Sequence, residues 1–103
     1  MIEKYIYIAG PMTGKENFNY NEFEKAELKL SKEYSKVINP HKIHGTDDKS
    51  LPYQFYMKND IKALLDCDCI YLLKDWEFSK GAALEKQIAE VLKMEIYFQE
   101  ISE

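Results

Sequence analysis

The segment Asp75–Phe98, DWEFSKGAALEKQIAEVLKMEIYF, contains the connection that decides the fold. It begins as a loop, continues as an amphipathic helix from Ser79 to about Lys93, and ends in a short apolar strand, EIYF. Turned at about 100° per residue, the helix gathers its apolar residues on one side, namely Ala82, Leu84, Ile88, Ala89, Val91 and Leu92. Glu85 falls inside this stripe, between Ala82 and Ala89, so a carboxylate is expected to point toward the core.

Strands and helices alternate from this segment back to the start of the chain. The sequence predicts a buried strand at Tyr5–Gly10, a helix from about Asn19 to Tyr34, a short strand KVIN stopped by Pro40, a helix opened by Ser50 and Pro52 that runs to about Asp66, and a strand at Cys69–Leu73. Phe23, Ala26, Leu30 and Tyr34 are expected to share the buried face of the first helix.

This order predicts one α/β domain over residues 1–103, a three-layer sandwich of the flavodoxin or Rossmann type. Its four parallel strands would have the order 2-1-3-4, with helices on both faces and right-handed crossovers. Sheets of this kind bind ligands at the carboxyl ends of their strands. Three loops would converge there: Gly10–Asn19, Pro40–Ser50 and Lys74–Phe78.

The composition excludes several classes of protein. Of the 103 residues, 46% are hydrophobic and 31% charged, and no apolar run approaches the roughly 18 residues of a membrane span. A net charge of −4 argues against electrostatic binding of a nucleic acid polymer. The first ten residues carry a charged pair and an apolar run of strand length, which is not a signal peptide, so a cytoplasmic location is expected.

The two cysteines, Cys67 and Cys69, form the pattern DCDC at the start of a strand. Their thiols are expected to face the same side, as two small buried residues in a reducing compartment. No further cysteine is present, and the histidines lie elsewhere, so no metal site is predicted. No nicotinamide or flavin signature is present either, and no cofactor is expected.

A second carboxylate also breaks an apolar pattern. On the helix that ends near Asp66, Asp60 falls on the buried face, which is otherwise marked by Tyr53, Tyr56, Met57, Ile61 and Leu64. A single buried acid is often the partner of a tyrosine hydroxyl or a lysine, and that interpretation stays open. Two acids on helices that flank one strand instead suggest the pair that breaks a glycosidic bond. Tyr7, in the first strand, could hold one carboxylate through its phenol.

Small and polar residues occupy the loops at the same edge. Gly10, Thr13 and Gly14 form a loop suited to a phosphate or a sugar, although the pattern is neither a P-loop nor a dinucleotide fingerprint. Trp76 could stack on a flat ligand or cover the helix start. His41 and His44 are loop residues and weak candidates for catalysis.

The start of the last helix offers a second group of candidate ligand contacts. Ser79 is the expected N-cap, and its hydroxyl with the amides of Lys80 and Gly81 could also bind an anion.

Three stretches, YIYIAGPMTG, NDIKALLDCDCIYLL and SKGAALEKQIAEVL, resemble the nucleoside 2-deoxyribosyltransferase superfamily. That group includes the 2′-deoxynucleoside 5′-monophosphate N-glycosidases. The chain more closely resembles a small domain family of unknown function that is common in phages and bacteria. The resemblance covers nearly the whole chain, and its most specific element is the spacing of Ser79, Gly81 and Glu85.

The resemblance implies catalytic roles for three residues. Glu85 would attack the anomeric carbon of the sugar, Tyr7 would support that carboxylate, and Asp60 would contact the sugar or assist proton transfer to the base. A serine at position 79 resembles the monophosphate hydrolases, whereas the transferases that use free nucleosides tend to carry aspartate there. Thr13 stands where those hydrolases carry an arginine. The superfamily builds sites across subunits, so a homo-oligomer, at least a dimer, is expected.

Three functional hypotheses therefore remain open. The first is an enzyme that hydrolyses or transfers the N-glycosidic bond of a nucleotide or nucleoside. The second is a nucleotide- or nucleotide-sugar-binding module without turnover. The third is a structural protein in which Glu85 and Asp60 pair only with buried tyrosines. The base, the sugar and the acceptor are not specified by the sequence.

Overall fold

The computed structural model describes residues 1–43 and 51–100 and shows a four-stranded parallel sheet. The elements are β1 (Ile2–Ala9), α1 (Tyr20–Leu30), β2 (Tyr34–Ile38), α2 (Tyr53–Leu65), β3 (Cys69–Leu72), α3 (Lys80–Val91) and β4 (Glu95–Phe98). The strand order is β2-β1-β3-β4, and every neighbouring pair is parallel, so the predicted α/β topology is confirmed.

The two faces of the sheet carry separate cores. One core joins the inward side chains of β1 and β3 to α1: Ile6, Ile8, Phe23, Ala26, Leu30, Cys69, Tyr71 and Leu73. The other packs the opposite face against α2 and α3: Tyr7, Ala9, Leu64, Cys67, Ile70, Leu72, Ala82 and Ala89. Alternation along β1 sends neighbouring side chains to opposite faces, which places Tyr7 on the side of α2 and α3.

The first helix is shorter than the sequence predicted. It ends at Leu30, where Ser31 caps it by donating its amide to the carbonyl of Glu27. Tyr34, expected on the buried helix face, instead begins β2 and pairs with Ile2. The helical spacing of Tyr34 was therefore misleading, because such spacing is a local preference that pairing with β1 overrides.

The cysteine prediction was wrong in its geometry. Cys67 packs in the core beneath α2, whereas Cys69 packs in the core beneath α1. Side chains alternate regularly only within a strand, and β3 begins at Cys69, so Cys67 lies in the preceding turn. Both thiols are free.

The third helix buries a narrower stripe than the sequence predicted. Ala82, Glu85 and Ala89 are buried, but Leu84, Val91 and Leu92 are exposed. Two alanines in the buried stripe let the helix lie close to the sheet, and the longer apolar side chains then project to either side of the contact. Tyr53 on α2, also expected to be buried, is 51% exposed. Ser50 and His44 lie outside the described residues.

The loops at the carboxyl ends of β1 and β3 are joined by an ion pair. The Lys15 ammonium lies 3.1 Å from a carboxylate oxygen of Asp75. Residues 17–19, just before α1, all take left-handed backbone angles. No helix within the described residues is both long and apolar enough to cross a bilayer.

Candidate active site

A buried tyrosine and a buried glutamate form the centre of the site. The Tyr7 hydroxyl donates a hydrogen bond of 2.5 Å to Oε2 of Glu85. Tyr7 is fully buried in β1, and Glu85 is only 5% exposed in the second turn of α3. The two residues meet because Tyr7 faces α3 from the sheet and Glu85 lies on the stripe with which α3 contacts the sheet.

Burial sets the protonation of both groups. Desolvation is the main cause that raises the pKa of Glu85 to about 8, and the negative charge of Asp60 adds to it. The hydrogen bond from Tyr7 opposes these effects, because it stabilises the charged carboxylate. Desolvation and the two acids raise the pKa of Tyr7 well above its usual range, so its phenol stays a donor.

Asp60 lies on α2 and faces the same pair. It is 8% exposed, and its charge raises the pKa of Glu85 and of Tyr7. The structure therefore brings together the three residues that the sequence singled out for catalysis. A carboxyl group with a pKa near neutrality can exchange a proton at physiological pH and can attack carbon once it is ionised.

The start of α3 lies about one and a half helical turns before Glu85. Ser79 caps the helix, and its hydroxyl accepts a hydrogen bond of 3.1 Å from the amide of Ala82. Gly81 precedes Glu85 by four residues and so shares its face of the helix. A Cβ at position 81 would lie 3.0 Å from Sδ of Met57 and 3.2 Å from the Tyr53 hydroxyl. Glycine at this position thus lets α2 approach α3.

The loop after β1 is built around two glycines with different structural roles. Gly10 packs tightly against Leu73, whose Cβ would lie 2.8 Å from a Cβ at position 10. Gly14 has a φ of +83°, which favours glycine, and no atom lies within 4 Å of a Cβ built there. Thr13 and Gly14 are exposed at the carboxyl edge of the sheet. Their predicted contact with a ligand stays a prediction.

Trp76 packs toward the edge strand β4. Its ring centroid lies 6.0 Å from that of Phe98, and the Lys86 ammonium lies 5.1 Å above its ring. These contacts hold the indole beside β4, whereas Glu85 and Asp60 lie where α3 and α2 face each other. The predicted stacking of Trp76 on a ligand therefore stays a prediction.

The histidine at position 41 has structural contacts. Its Nε2 lies 2.9 Å from the carbonyl oxygen of Phe18, and its ring meets Phe23 edge-on at 4.9 Å. Its backbone amide donates to Oδ1 of Asn39, whose side-chain amide in turn donates to Glu27. His41 and Asn39 thus connect the end of β2 to α1, on the opposite face of the sheet from Glu85. His44 is outside the described residues.

Tyr53 lies close to the candidate active site, although the sequence predicted it only as part of the core. Its hydroxyl lies over Gly81, and the charges of Glu85 and Asp60 contribute, after desolvation, to a raised pKa of its phenol. The helical spacing of Tyr53, Met57 and Asp60 was the available signal, because it places all three on one face. Within residues 1–43 and 51–100, no group of three or more histidine, cysteine or acidic side chains could hold a metal ion.

Comparison with protein families gives a match over most of the chain. Residues 4–98 match the family described as "Domain of unknown function (DUF4406)". The chain belongs to this family. The curated proteins contain no sequence that matches it.

The DUF4406 chain also resembles a solved structure, a 2-deoxyribosyltransferase from the psychrotolerant bacterium Bacillus psychrosaccharolyticus. The TM-score is 0.71 at 20% sequence identity, and the match covers 96% of this chain and 77% of that one. The chain therefore has the nucleoside 2-deoxyribosyltransferase-like fold.

Proposed function

We propose that this chain cleaves or transfers the N-glycosidic bond of a nucleotide or nucleoside, with Glu85 as the nucleophile. The observation that carries the proposal is the buried hydrogen bond between Tyr7 and Glu85, with Asp60 beside it. The likeness in fold to a 2-deoxyribosyltransferase supports this reaction class by analogy.

The proposed reaction is a double displacement. An ionised Oε of Glu85 attacks the anomeric carbon, the carbon–nitrogen bond breaks, and its electron pair leaves with the base, which takes up a proton. Water or a second base then attacks the same carbon and releases the Glu85 carboxylate. Tyr7 orients that carboxylate through its hydrogen bond. Asp60 contacts the sugar or transfers the proton between base and solvent.

The substrate-binding part of the proposal concerns the loops around the sugar. Ser79 and the amide of Gly81 would contact the 5′ side of the ligand at the start of α3. The backbone of Gly10, Thr13 and Gly14 would complete this region, and the ring of Trp76 would stack on the base. No metal or cofactor takes part in the proposed reaction.

A 5′-monophosphate is the proposed form of the substrate, and Ser79 offers the test. Ser79→Asp should keep the helix cap but repel a phosphate, so the ratio of kcat/KM for monophosphate over nucleoside should fall at least tenfold, roughly the effect of a 1.4 kcal/mol repulsion. Ser79→Ala adds no charge and should not lower that ratio through repulsion. It should lower the free energy of unfolding by about 0.5–2 kcal/mol, since the hydrogen bond from the amide of Ala82 is lost. An unchanged ratio in Ser79→Asp contradicts the phosphate assignment.

A binding module without turnover is the second candidate function. It is favoured by the pKa of Glu85, because a carboxyl group with a pKa of about 8 is mostly protonated at neutral pH. A protonated Glu85 would donate a hydrogen bond to a nucleotide or nucleotide sugar rather than attack it. The two candidates make opposite predictions for Glu85→Gln, which retains a hydrogen-bond donor but cannot act as a nucleophile.

The proposed biological setting follows from the thiols and from the surface of α3. A reducing, cytoplasmic location is proposed because both cysteines are free, buried thiols. An exposed apolar strip on α3 supports a homo-oligomer. Residues 1–103 would act as one domain, with a small molecule rather than a nucleic acid polymer or a membrane as the partner.

A combined binding and turnover assay tests the proposed function. The protein is screened by thermal shift against deoxynucleosides, ribonucleosides and their 5′-monophosphates, and each sample is then analysed chromatographically for free base. A ligand at 100 times its Kd stabilises the fold by about 2.7 kcal/mol, so binding is detectable without turnover. Glu85→Gln should abolish base release, whereas Glu90→Gln, on the exposed side of the same helix, should not.

The outcomes separate the hypotheses. Released base that disappears in Glu85→Gln supports the glycosidase, and a thermal shift without released base supports the binding module. The absence of both contradicts nucleoside or nucleotide recognition and leaves Glu85 and Asp60 a structural role.

A further inference from the structure

The facing sides of α2 and α3 carry their side chains in successive layers. Tyr53, Met57, Asp60 and Leu64 recur at three- and four-residue intervals along α2. Gly81, Glu85 and Ala89 recur at four-residue intervals along α3. Leu64 and Ala89 are fully buried, whereas Tyr53 is 51% exposed at the other end of α2. Along the two helices the layers therefore pass from apolar residues, through the two acids, to an exposed tyrosine.

The position of the Tyr53 hydroxyl is set by Gly81. The oxygen lies 3.2 Å from the place that a Cβ of residue 81 would occupy. Side chains on a helix lean toward its N-terminus, so Glu85 leans toward the turn that contains Gly81. The phenol and the carboxylate therefore face the same space from two helices. Desolvation raises the pKa of Tyr53, and the charges of Glu85 and Asp60 add to it, which agrees with that placement.

The Tyr53 hydroxyl forms no hydrogen bond within residues 1–43 and 51–100. It differs in this from Tyr7, whose hydroxyl binds Glu85. Met57 packs against Gly81 beside it, so the Tyr53 ring lies at the first turns of two helices, and the residue as a whole is 51% exposed. A donor that is positioned but not engaged can bind a polar group of a ligand with little cost of ordering.

We propose that Tyr53 is a specificity-determining residue whose hydroxyl binds the 5′ oxygen of the substrate, whether that oxygen carries hydrogen or phosphate. The inference rests on the proposed function, in which the anomeric carbon lies at Glu85. One helical turn, about 5.4 Å, separates Gly81 from Glu85 along the axis. In a nucleoside, the distance from the anomeric carbon to the 5′ oxygen of the sugar is similar. The 5′ oxygen of a sugar held at Glu85 therefore reaches the phenol.

A double-mutant cycle between Tyr53 and the 5′ oxygen of the ligand tests this contact. The ligands are the 2′-deoxynucleosides of the four bases, their 5′-monophosphates and the 2′,5′-dideoxynucleosides, which lack only the 5′ oxygen. Each is measured with wild-type protein and with Tyr53→Phe, as Kd by calorimetry and as kcat and KM for base release. Tyr53→Phe should weaken binding of the ligands that retain the oxygen about 3- to 10-fold, mainly through KM, the range of one hydrogen bond. The 2′,5′-dideoxynucleosides should bind both proteins equally.

Two further variants make the test specific. Tyr20→Phe removes a phenol from the first turn of α1, on the other face of the sheet, and should change nothing. Gly81→Ala places a methyl group against the Tyr53 hydroxyl and should weaken the same ligands that Tyr53→Phe weakens. Melting temperatures of all variants show whether the fold is retained.

The experiment distinguishes failure of the Tyr53 assignment from failure of the proposed function. Equal weakening of both ligand classes by Tyr53→Phe, or none at all, overturns the assignment of Tyr53 and leaves the glycosidase proposal standing. Wild-type protein that neither binds nor cleaves any of these ligands, nor the ribonucleosides and their 5′-monophosphates, overturns the proposed function and the assignment together.

Discussion

Glu85 is a carboxylate that the fold buries at a substantial free-energy cost. It is 5% exposed, and a second acid, Asp60, lies on the facing helix. One hydrogen bond, from Tyr7, offsets part of the desolvation. A buried acid that serves only the fold would be replaceable by a neutral side chain of the same shape with a gain in stability. Because ionisation of Glu85 is costly in the core, its protonation state should affect the free energy of unfolding as well as the activity.

The first residue-scale prediction concerns pH and stability. The pKa of Glu85 is about 8 in the folded protein against 4.5 as the reference value for an unfolded chain. A raised pKa in the folded state contributes stability at low pH, and this contribution is lost as the pH rises from about 4.5 through 8. The loss is on the order of several kcal/mol, at about 1.4 kcal/mol per pKa unit. Glu85→Gln should lack it.

Urea unfolding at about pH 5.5, 7 and 8.5 provides the measurement for both proteins. Above about pH 8, Glu85→Gln should be the more stable of the two. Parallel pH profiles for wild-type protein and Glu85→Gln would show that the carboxyl group is not desolvated as the structure indicates.

The second residue-scale prediction concerns Tyr7. Its hydrogen bond lowers the pKa of Glu85, so Tyr7→Phe should raise that pKa further above its value in the wild-type protein. NMR titration of labelled glutamate carboxyl groups measures this directly and needs no substrate. Tyr71→Phe is the matched control, because Tyr71 is a buried strand tyrosine on the other face of the sheet. A Glu85 pKa that stays unchanged in Tyr7→Phe contradicts the proposed support.

At the scale of elements, the carboxyl ends of β1 and β3 are packed so closely that a side chain is excluded. Gly10 follows β1 and contacts Leu73, which follows β3, and a Cβ at position 10 would lie 2.8 Å from both Cβ and Cδ1 of Leu73. Leu73 is itself buried, and its amide bonds to the carbonyl of Ala9. The glycine therefore holds the two loops of the site at a fixed separation.

Gly10→Ala should lower the free energy of unfolding by about 1–3 kcal/mol, because Cβ of Leu73 cannot move without its strand. Chemical denaturation measures the loss. Thr13→Ala, an exposed change in the same loop, should stay within about 0.5 kcal/mol of wild type. If the two variants were equally stable, the close approach of the strands would be in doubt.

At the scale of the whole molecule, an apolar strip remains uncovered beside the site. Leu65 at the end of α2 and Leu84, Ile88, Val91 and Leu92 along α3 line one groove. Val91 is 75% exposed and Leu65 is 54% exposed. Contiguous apolar surface of this kind marks an interaction site. We propose that this groove forms a contact between copies of this chain, in line with the expected homo-oligomer.

Leu84→Lys combined with Val91→Lys should lower the sedimenting mass at micromolar concentration toward that of one chain, because burying two ammonium groups at an apolar contact is costly. Leu28→Lys provides the control, since Leu28 is 62% exposed on α1, away from the groove. Wild-type protein that already sediments as a single chain would contradict the proposed contact.

Some elements of the fold were predictable from the sequence and others were not. The helix start at Ser79, the strand EIYF and the order of the four strands were predicted and are confirmed. The burial of Glu85 and Asp60 was predicted from helical spacing and is confirmed as well. Tyr34 was assigned to a helix because its spacing fits one, and pairing with Ile2 overrode that preference. The catalytic and binding roles of Glu85 and Asp60 stay predictions.

The sequence by itself determined the alternation of strands and helices, the cap of α3 and the inward direction of Glu85, because each depends on residues within a few positions of one another. Only the tertiary structure decided which apolar residues are covered and which charges meet. Tyr7 and Glu85 are 78 positions apart, and their hydrogen bond exists because β1 lies in the centre of the sheet beneath α3. The contact of Tyr53 with α3 also depends on tertiary structure, since the absence of a side chain at Gly81 lets α2 lie close to α3.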